Sequence, residues 1–380
     1  MNIHLASDVI VVGGGIMGTS AAFFLRRRNR SVTLIERGLV GQQASGVNFG
    51  NVRRQGRCLS QLPLANRSRD IWQRLPELIG EDGEFLASGH VRVCYRPEIV
   101  GQFEAYASSA RETGLELELL SRKMLLEKFP YFGPDVLAGS YSPLDGHANP
   151  RLLTPAFARA AARLGAVIEE NTDVLSIQKV GEDFQVETAG GKCYRAPLLL
   201  VTAGAWAGAL SSQLGEPVPL VVRGPQMAVT EPVGYAIKPA IGVSTPLTEE
   251  TVYLRQIPRG NVILGGGTRG PAFADIRRAY VEPGNTLAQM GQFRRLIPAL
   301  ARLRIIRVWS GIESYLPDDV PIIGPSARTP GLYYAFGFCG SGFQIGPGVG
   351  DVMAELMDTG ATSTPIAAFS MQRFQLPIAA

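Results

Sequence analysis

The opening segment changes its apolar period sharply. Asp8 is followed by the apolar run Val9-Ile-Val-Val12 and then by Gly13-Gly-Gly15-Ile-Met-Gly18. A continuous β-branched run bounded by glycines predicts a buried strand. Over 19–27 the apolar positions recur at helical spacing, so a helix follows, and Ser31-Val-Thr-Leu-Ile35 predicts a second strand ending at Glu36. The same reading predicts helices over 61–75, 98–114 and 151–164. Strands are predicted over 90–95, from 167, over 173–179 and 184–188, and over 198–202, 218–230, 251–255, 261–265 and 332–336. Ala203-Gly204 predicts a turn into a helix near Trp206, and Gly340-Ser341-Gly342 opens a last helix running to about Met357. No helix follows Gly265-Gly-Gly267, so those glycines predict a turn or bulge near the ligand.

The first glycine cluster carries specific chemistry. Gly13 permits a tight strand-to-helix turn, Gly15 permits close approach of a pyrophosphate, and Gly18 permits helix–strand packing. The phosphates would rest on the positive end of the helix. Glu36 ends the second strand, near the spacing of an acid that holds a ribose hydroxyl. The order of strand, glycines, helix, strand and acid predicts a bound adenine dinucleotide. An ordinary glycine-rich turn would leave Glu36 unexplained. The motif does not separate NAD from FAD. The polar segment from Gly41 to Arg57 reads either as a loop along a pyrophosphate and flavin edge or as a solvated surface loop.

Composition narrows the class. With 380 residues the chain can form two packed lobes, and 46% hydrophobic against 18% charged residues suits a large core. The net charge of +4 is scattered except at Arg26-Arg27-Arg28 and Arg30, which close the first helix where cations favour the dipole. No aromatic-interleaved basic stripe points to nucleic acid. The four cysteines are dispersed without Cys-x-x-Cys, and the three histidines lack ligand spacing, so no metal site is expected. Reduced thiols, no signal peptide before the first strand, and no apolar run of about 18 residues predict a cytoplasmic chain, or one peripheral to the inner membrane, without a transmembrane segment.

Four motifs carry a resemblance. They are the Gly13–Gly18 cluster with Glu36, the Ala44-Ser45 loop, Thr202-Ala-Gly204-Ala-Trp206-Ala, and Gly337-Phe-Cys-Gly340-Ser-Gly342-Phe-Gln-Ile-Gly-Pro347. Together they resemble the D-amino-acid oxidase superfamily of FAD-dependent amine oxidoreductases, of glycine/sarcosine oxidase type, over nearly the whole chain. Asn48-Phe-Gly50-Asn-Val-Arg53-Arg-Gln-Gly-Arg57 looks most like the flavin subunits of opine and D-hydroxyproline dehydrogenases.

The resemblance implies an α/β fold. A discontinuous FAD-binding Rossmann-like domain of glutathione-reductase type (1–75, 146–215, 305–380) would carry a second, antiparallel-sheet α+β substrate lobe (76–145, 216–304). It implies cofactor contacts at Gly13, Gly15, Ile16, Met17, Gly18, Glu36, Arg37, Ala44, Ser45, Asn48, Gly50, Asn51, Val174, Ala203, Gly204, Trp206, Gly311, Gly340, Ser341, Gly342, Phe343 and Gln344. Amides at the Gly340 helix opening would stabilise negative charge on the reduced flavin. The implied activity is oxidation of a D-amino acid, imino acid or opine-type secondary amine to an imine. Electrons would pass to a non-oxygen acceptor through partner subunits; the alternative is an oxygen-using amine oxidase releasing hydrogen peroxide.

Departures from the family pattern set the substrate expectations. Many relatives carry His where Ser341 stands, and glycine oxidase-like members carry Arg near Gly340 and at the position of Glu313. Glu313 would attract a cationic amine, or is a structural acid paired with an arginine. Arg53 would grip a carboxylate bidentately, or is a surface cation in a run with Arg54 and Arg57. Tyr253 and Arg255 lie two apart on a strand, share a face, and would meet a carboxylate or form a solvent-facing pair. With no Cys near Glu313 and no His over 45–53, FAD is expected to be non-covalent.

Overall fold

The computed structural model describes residues 4–374. Its central sheet has the strand order Ile322–Pro325, Leu332–Phe336, Leu198–Val201, Val9–Val12, Val32–Ile35, Val167–Glu169. All neighbours are parallel except the first pair. Val9, Ile10 and Val11 are fully buried, as a strand covered on both faces requires. Strand Val9–Val12 lies between Val32–Ile35, which follows it, and Leu198–Val201, which comes much later. That reversal of winding opens a crevice at the carboxyl ends of the strands, the usual ligand position in such sheets.

One face of this sheet is covered by helices Ile16–Arg27, Leu62–Gln73, Pro150–Arg163 and Gly342–Thr359. The other is covered by a four-stranded sheet of His4–Ala6, Cys193–Ala196, Asp183–Thr188 and Val174–Val180. The predicted helix over 61–75 is broken at Arg74, because Pro76 starts a new short helix, Leu75–Ile79, capped by left-handed Gly80. The helix predicted from 19 begins at Ile16, so Gly18 lies inside its first turn.

A nine-stranded, mostly antiparallel sheet forms around a separate core. It draws strands from 90–142, 221–270 and 305–315. One pair is parallel, Ala240–Ser244 beside His90–Cys94, which periodicity does not reveal. The triple glycine is no chain reversal. It lies within strand Asn261–Gly270, where the register against Val221–Pro232 slips between Met227/Gly265 and Pro225/Arg269. The irregularity is therefore a bulge inside a continuous strand. No described helix is long and apolar enough to cross a membrane.

Candidate active site

A cavity of about 720 Å³ runs from the glycine cluster to the nine-stranded sheet. At its first end, backbone geometry explains each glycine. Gly13 has φ +115°, and a Cβ there would lie 2.6 Å from the Thr202 carbonyl oxygen. A Cβ on Gly18 would lie 2.0 Å from the Gly13 oxygen, so Gly18 packs the turn and does not reach the cavity wall. On Gly15 it would meet only Ser45 Oγ, at 3.1 Å, leaving that face open to a ligand. Ser45 Oγ accepts the Ile16 amide at 2.9 Å. The Glu36 carboxylate accepts the Gly14 amide at 2.6 Å and the Gly38 amide at 2.8 Å. Glu36 thus shapes the turn as well as facing the cavity.

A second helix opening meets the first. Ser341, at the start of Gly342–Thr359, gives no side-chain cap, and the first turn holds no acid. Both helices are long, and their positive ends converge on one cavity. Gly342, Gly346 and Gly350 lie at i, i+4 spacing along one face. Cβ atoms there would come within 2.9 Å of Met17, 2.7 Å of Ile16 and 2.2 Å of Ser20. Their absence lets the helices lie side by side, with Ser20 Oγ donating to the Gly346 oxygen at 3.1 Å. Gln344 points the other way. Its side chain donates to the Ala65 oxygen at 2.9 Å, so it is not a cavity residue.

The other expected cofactor residues line the cavity: Gly13, Gly15, Ile16, Met17, Glu36, Arg37, Ala44, Ser45, Asn48, Gly50, Asn51, Val174, Ala203, Gly204, Trp206, Gly311, Gly340, Ser341, Gly342 and Phe343. Arg37 stacks 4.4 Å above the Trp206 ring, and Trp206 Nε1 donates to the Ala274 oxygen at 2.8 Å. Asn48 is engaged within its own loop. It donates to the Ser45 oxygen at 2.9 Å and accepts the Gly50 amide at 2.7 Å. An open glycine face, two helix ends whose N-cap residues supply no side-chain cap, and a long cleft fit a dinucleotide with a flavin head. FAD would be held by the Gly13–Met17 turn, Glu36, Ser45 and the Gly340–Phe343 opening.

At the second end the structure sorts the expected substrate residues. Arg53, Tyr253 and Glu313 line the cavity, and Arg255 does not. Arg255 shares a face with Tyr253, as the strand spacing requires, and both pack on Phe49. Its guanidinium is engaged by the Phe49 oxygen at 2.7 Å and His147 Nδ1 at 3.3 Å. The expected carboxylate contact at Arg255 is therefore replaced by a buried tie. Burial pushes Arg255 down to about 10, and burial with the adjacent Arg255 pushes His147 down to about 3.

Arg54 and Arg57 are buried, and Arg53 is half-buried. The surface-cation reading of this run is set aside. Arg54 pairs with Asp145 at 3.3 Å. Arg57 donates to the Arg53 oxygen at 3.0 Å, to Gln61 at 3.2 Å and to the Ser341 oxygen at 2.9 Å. Burial, then the neighbouring Arg53, pushes Arg57 down to about 9. Glu313 is tied to an arginine through Tyr315, which donates to Glu313 at 2.6 Å and accepts from Arg269 at 2.9 Å. Burial raises the Glu313 carboxyl, outweighing the hydrogen bond from Tyr315.

Several cavity residues escaped the sequence reading: His90, Arg92, Met227, Ser244, Arg269 and Cys339. A signal existed for two of them. Val91 and Val93 face the core, so His90 and Arg92 share the opposite face of their strand. Cys339, distant from Glu313 in sequence, is brought near it by the fold. Its backbone amide donates to the Ser314 oxygen at 3.2 Å, and its thiol accepts the Leu316 amide at 3.3 Å. Burial pushes that thiol up to about 11, so it stays protonated at neutral pH.

Comparison with known proteins places these features. Residues 8–356 match the family described as FAD dependent oxidoreductase. The chain is 28% identical to glycine oxidase of Geobacillus kaustophilus, covering 96% of this chain and 97% of that one. It is 27% identical to one of the subunits of opine oxidase from Rhizobium meliloti, covering 97% of each. The solved structure of L-proline dehydrogenase from P. horikoshii superposes with a TM-score of 0.91 at 27% identity, covering 98% of this chain and 99% of that one.

Proposed function

The chain belongs to the FAD dependent oxidoreductase family, and from that premise we propose that it oxidises a carboxylate-bearing amine to an imine. The substrate is a D-amino acid, an imino acid or an opine-type secondary amine. The observation that carries this reading is Arg53, a cavity-lining guanidinium with no carboxylate partner among the described residues, placed in the same cavity as the acid Glu313. Arg53 uses Nη1 on the Gln55 oxygen and leaves its Nε–Nη2 edge for a substrate carboxylate. Glu313 faces the amine end and attracts its positive charge. Tyr253, held against Phe49 at 4.9 Å, lines the same cavity.

Bound FAD supplies two-electron acceptance from the substrate α-carbon. The chain's part is position and electrostatics. Oxidation removes a hydride from carbon and a proton from nitrogen; water then cleaves the imine to a carbonyl compound and an amine. We propose that electrons leave to a partner protein in place of oxygen. The similarity to a subunit of an opine oxidase supports this, and the similarity to a glycine oxidase supports the oxygen-using alternative.

The test is anaerobic mixing of the holoenzyme with a panel of amino acids and secondary amines. Loss of the flavin absorption on mixing supports the reading; a flavin unaltered by every carboxylate-bearing amine overturns it. Turnover with an artificial dye far faster than with air supports the partner acceptor. Rapid stoichiometric hydrogen peroxide establishes the oxygen-using alternative.

A further inference from the structure

Arg92 stands apart from the residues that the proposed amine oxidation requires. It projects from strand His90–Cys94, beside the segment carrying Arg53 and Arg57. Its approach to that segment depends on Gly56, where a Cβ would lie 2.1 Å from Arg92 Nη1. Arg92 Nη2 donates to Ser244 Oγ at 3.0 Å. Its remaining nitrogens have no protein acceptor among the described residues.

The charges around it do not balance. Arg53, Arg57 and Arg92 all line the cavity, and none forms an ion pair among the described residues. The nearby acid, Asp145, is committed elsewhere. It pairs with Arg54 and accepts the backbone amides of Arg54 at 2.9 Å and Gln55 at 3.2 Å. His90 contributes no counter-charge; it is locked against Gln55 at 2.8 Å and kept neutral by burial. Arg57 is buried and Arg53 and Arg92 are half-buried, and cations so placed without counter-ions favour a ligand that brings negative charge.

One carboxylate held by Arg53 leaves Arg92 without a counter-charge. Arg53 keeps a whole edge free, enough to grip one carboxylate with two parallel hydrogen bonds. Arg57 is already fixed by the protein through Nε, Nη1 and Nη2, and keeps at most one spare N–H on each Nη. That leaves the Arg92 cation, with Ser244 beside it, facing the cavity. We propose that Arg92 and Ser244 form a second carboxylate subsite, so that the preferred substrate is a secondary amine flanked by two acid groups. This rests on the amine-oxidation reading above and adds the second acid.

The experiment separates the two. Holoenzyme is titrated with diglycolate and with methoxyacetate, following the flavin spectrum. The ether oxygen of each replaces the oxidisable nitrogen, so binding is read without turnover. Diglycolate is expected to bind at least about tenfold more tightly than methoxyacetate, as a second charge-assisted pair implies. Arg92→Met is expected to abolish that advantage while leaving methoxyacetate affinity unchanged, and Arg92→Lys to keep part of it. Equal affinities in the wild-type protein overturn the subsite, as does an equal loss for both ligands in Arg92→Met, which would mean one carboxylate bridging Arg53 and Arg92. Anaerobic bleaching by iminodiacetate and sarcosine is measured in parallel. Its absence for both amines counts against amine oxidation and leaves the binding result to judge the second subsite.

Discussion

Arg57 donates from Nη2 to the Ser341 carbonyl oxygen at 2.9 Å, across 284 residues of sequence. The bond ties the polar loop after Asn51–Val52 to the mouth of helix Gly342–Thr359. Two walls of one cavity are thereby fixed by a single guanidinium, which also holds the Arg53 oxygen and Gln61.

Arg57→Lys should loosen this joint. Lysine cannot reproduce the planar fork, and each buried acceptor left unpaired costs about 1–3 kcal/mol. We expect stability to fall by that amount and FAD dissociation, followed by fluorescence, to accelerate about tenfold, the equivalent of about 1.4 kcal/mol. A variant with wild-type stability and wild-type FAD retention would show the tie to be dispensable.

Arg53 and Arg255 should separate cleanly. Arg53→Lys loses the free bidentate edge, so kcat/KM should drop at least about tenfold with the melting temperature preserved. Arg255→Lys breaks the buried contacts to Phe49 and His147 and should lower stability by about 1–3 kcal/mol. If Arg255→Lys instead melts normally and raises KM, its assignment as a structural tie is wrong.

The helix pair gives a stability test. Gly350→Ala places a methyl 2.2 Å from Ser20 Oγ and 2.5 Å from the Ala21 nitrogen. Overpacking of this kind costs about 1–3 kcal/mol. Gly291→Ala, in the exposed interior of helix Pro283–Leu296 with nothing within 4 Å, should stabilise by about 0.5–1 kcal/mol. Chemical denaturation of both variants checks the opposite signs; equal effects would discount close helix packing.

Acid should destabilise the protein through His147. Burial and Arg255 depress its folded value to about 3, while the unfolded chain titrates near the ordinary histidine value of about 6.5. The unfolded state therefore binds more protons between those limits. Stability is full above about pH 6.5 and falls with pH toward about 3, by about 2 kcal/mol at pH 5. His147→Asn should reduce this slope in urea titrations between pH 7 and 5, the remainder including His90, which burial also keeps neutral. An unchanged slope would assign the acid sensitivity to other groups.

The cofactor should come away without a covalent bond, because the thiol nearest Glu313, on Cys339, is held protonated. Acid precipitation should leave all yellow colour in the supernatant. Glu36→Ala should weaken FAD binding by about 1.5–3 kcal/mol for each lost charge-assisted bond, read by titration of the apoprotein. Colour in the pellet would mean a covalent link, and unchanged affinity would remove Glu36 from the ribose.

The sequence by itself determined the features that local physics enforces. Val9–Val12, the Gly13–Gly18 turn, Glu36 and the Gly340 helix opening were legible because strand burial, positive φ and helix dipoles leave short-range signatures. The tertiary structure decided what depends on distant segments. Tyr253 and Arg255 share a strand face, yet only Tyr253 reaches the cavity, because the Phe49 oxygen and His147 engage Arg255. Arg92 became a site residue only when strand His90–Cys94 was laid over Gly56, and Cys339 only when its turn closed on Leu316. Which charges remain unpaired depends on contacts between segments far apart in the chain. Periodicity reports which face a residue takes, and only packing shows what stands opposite it.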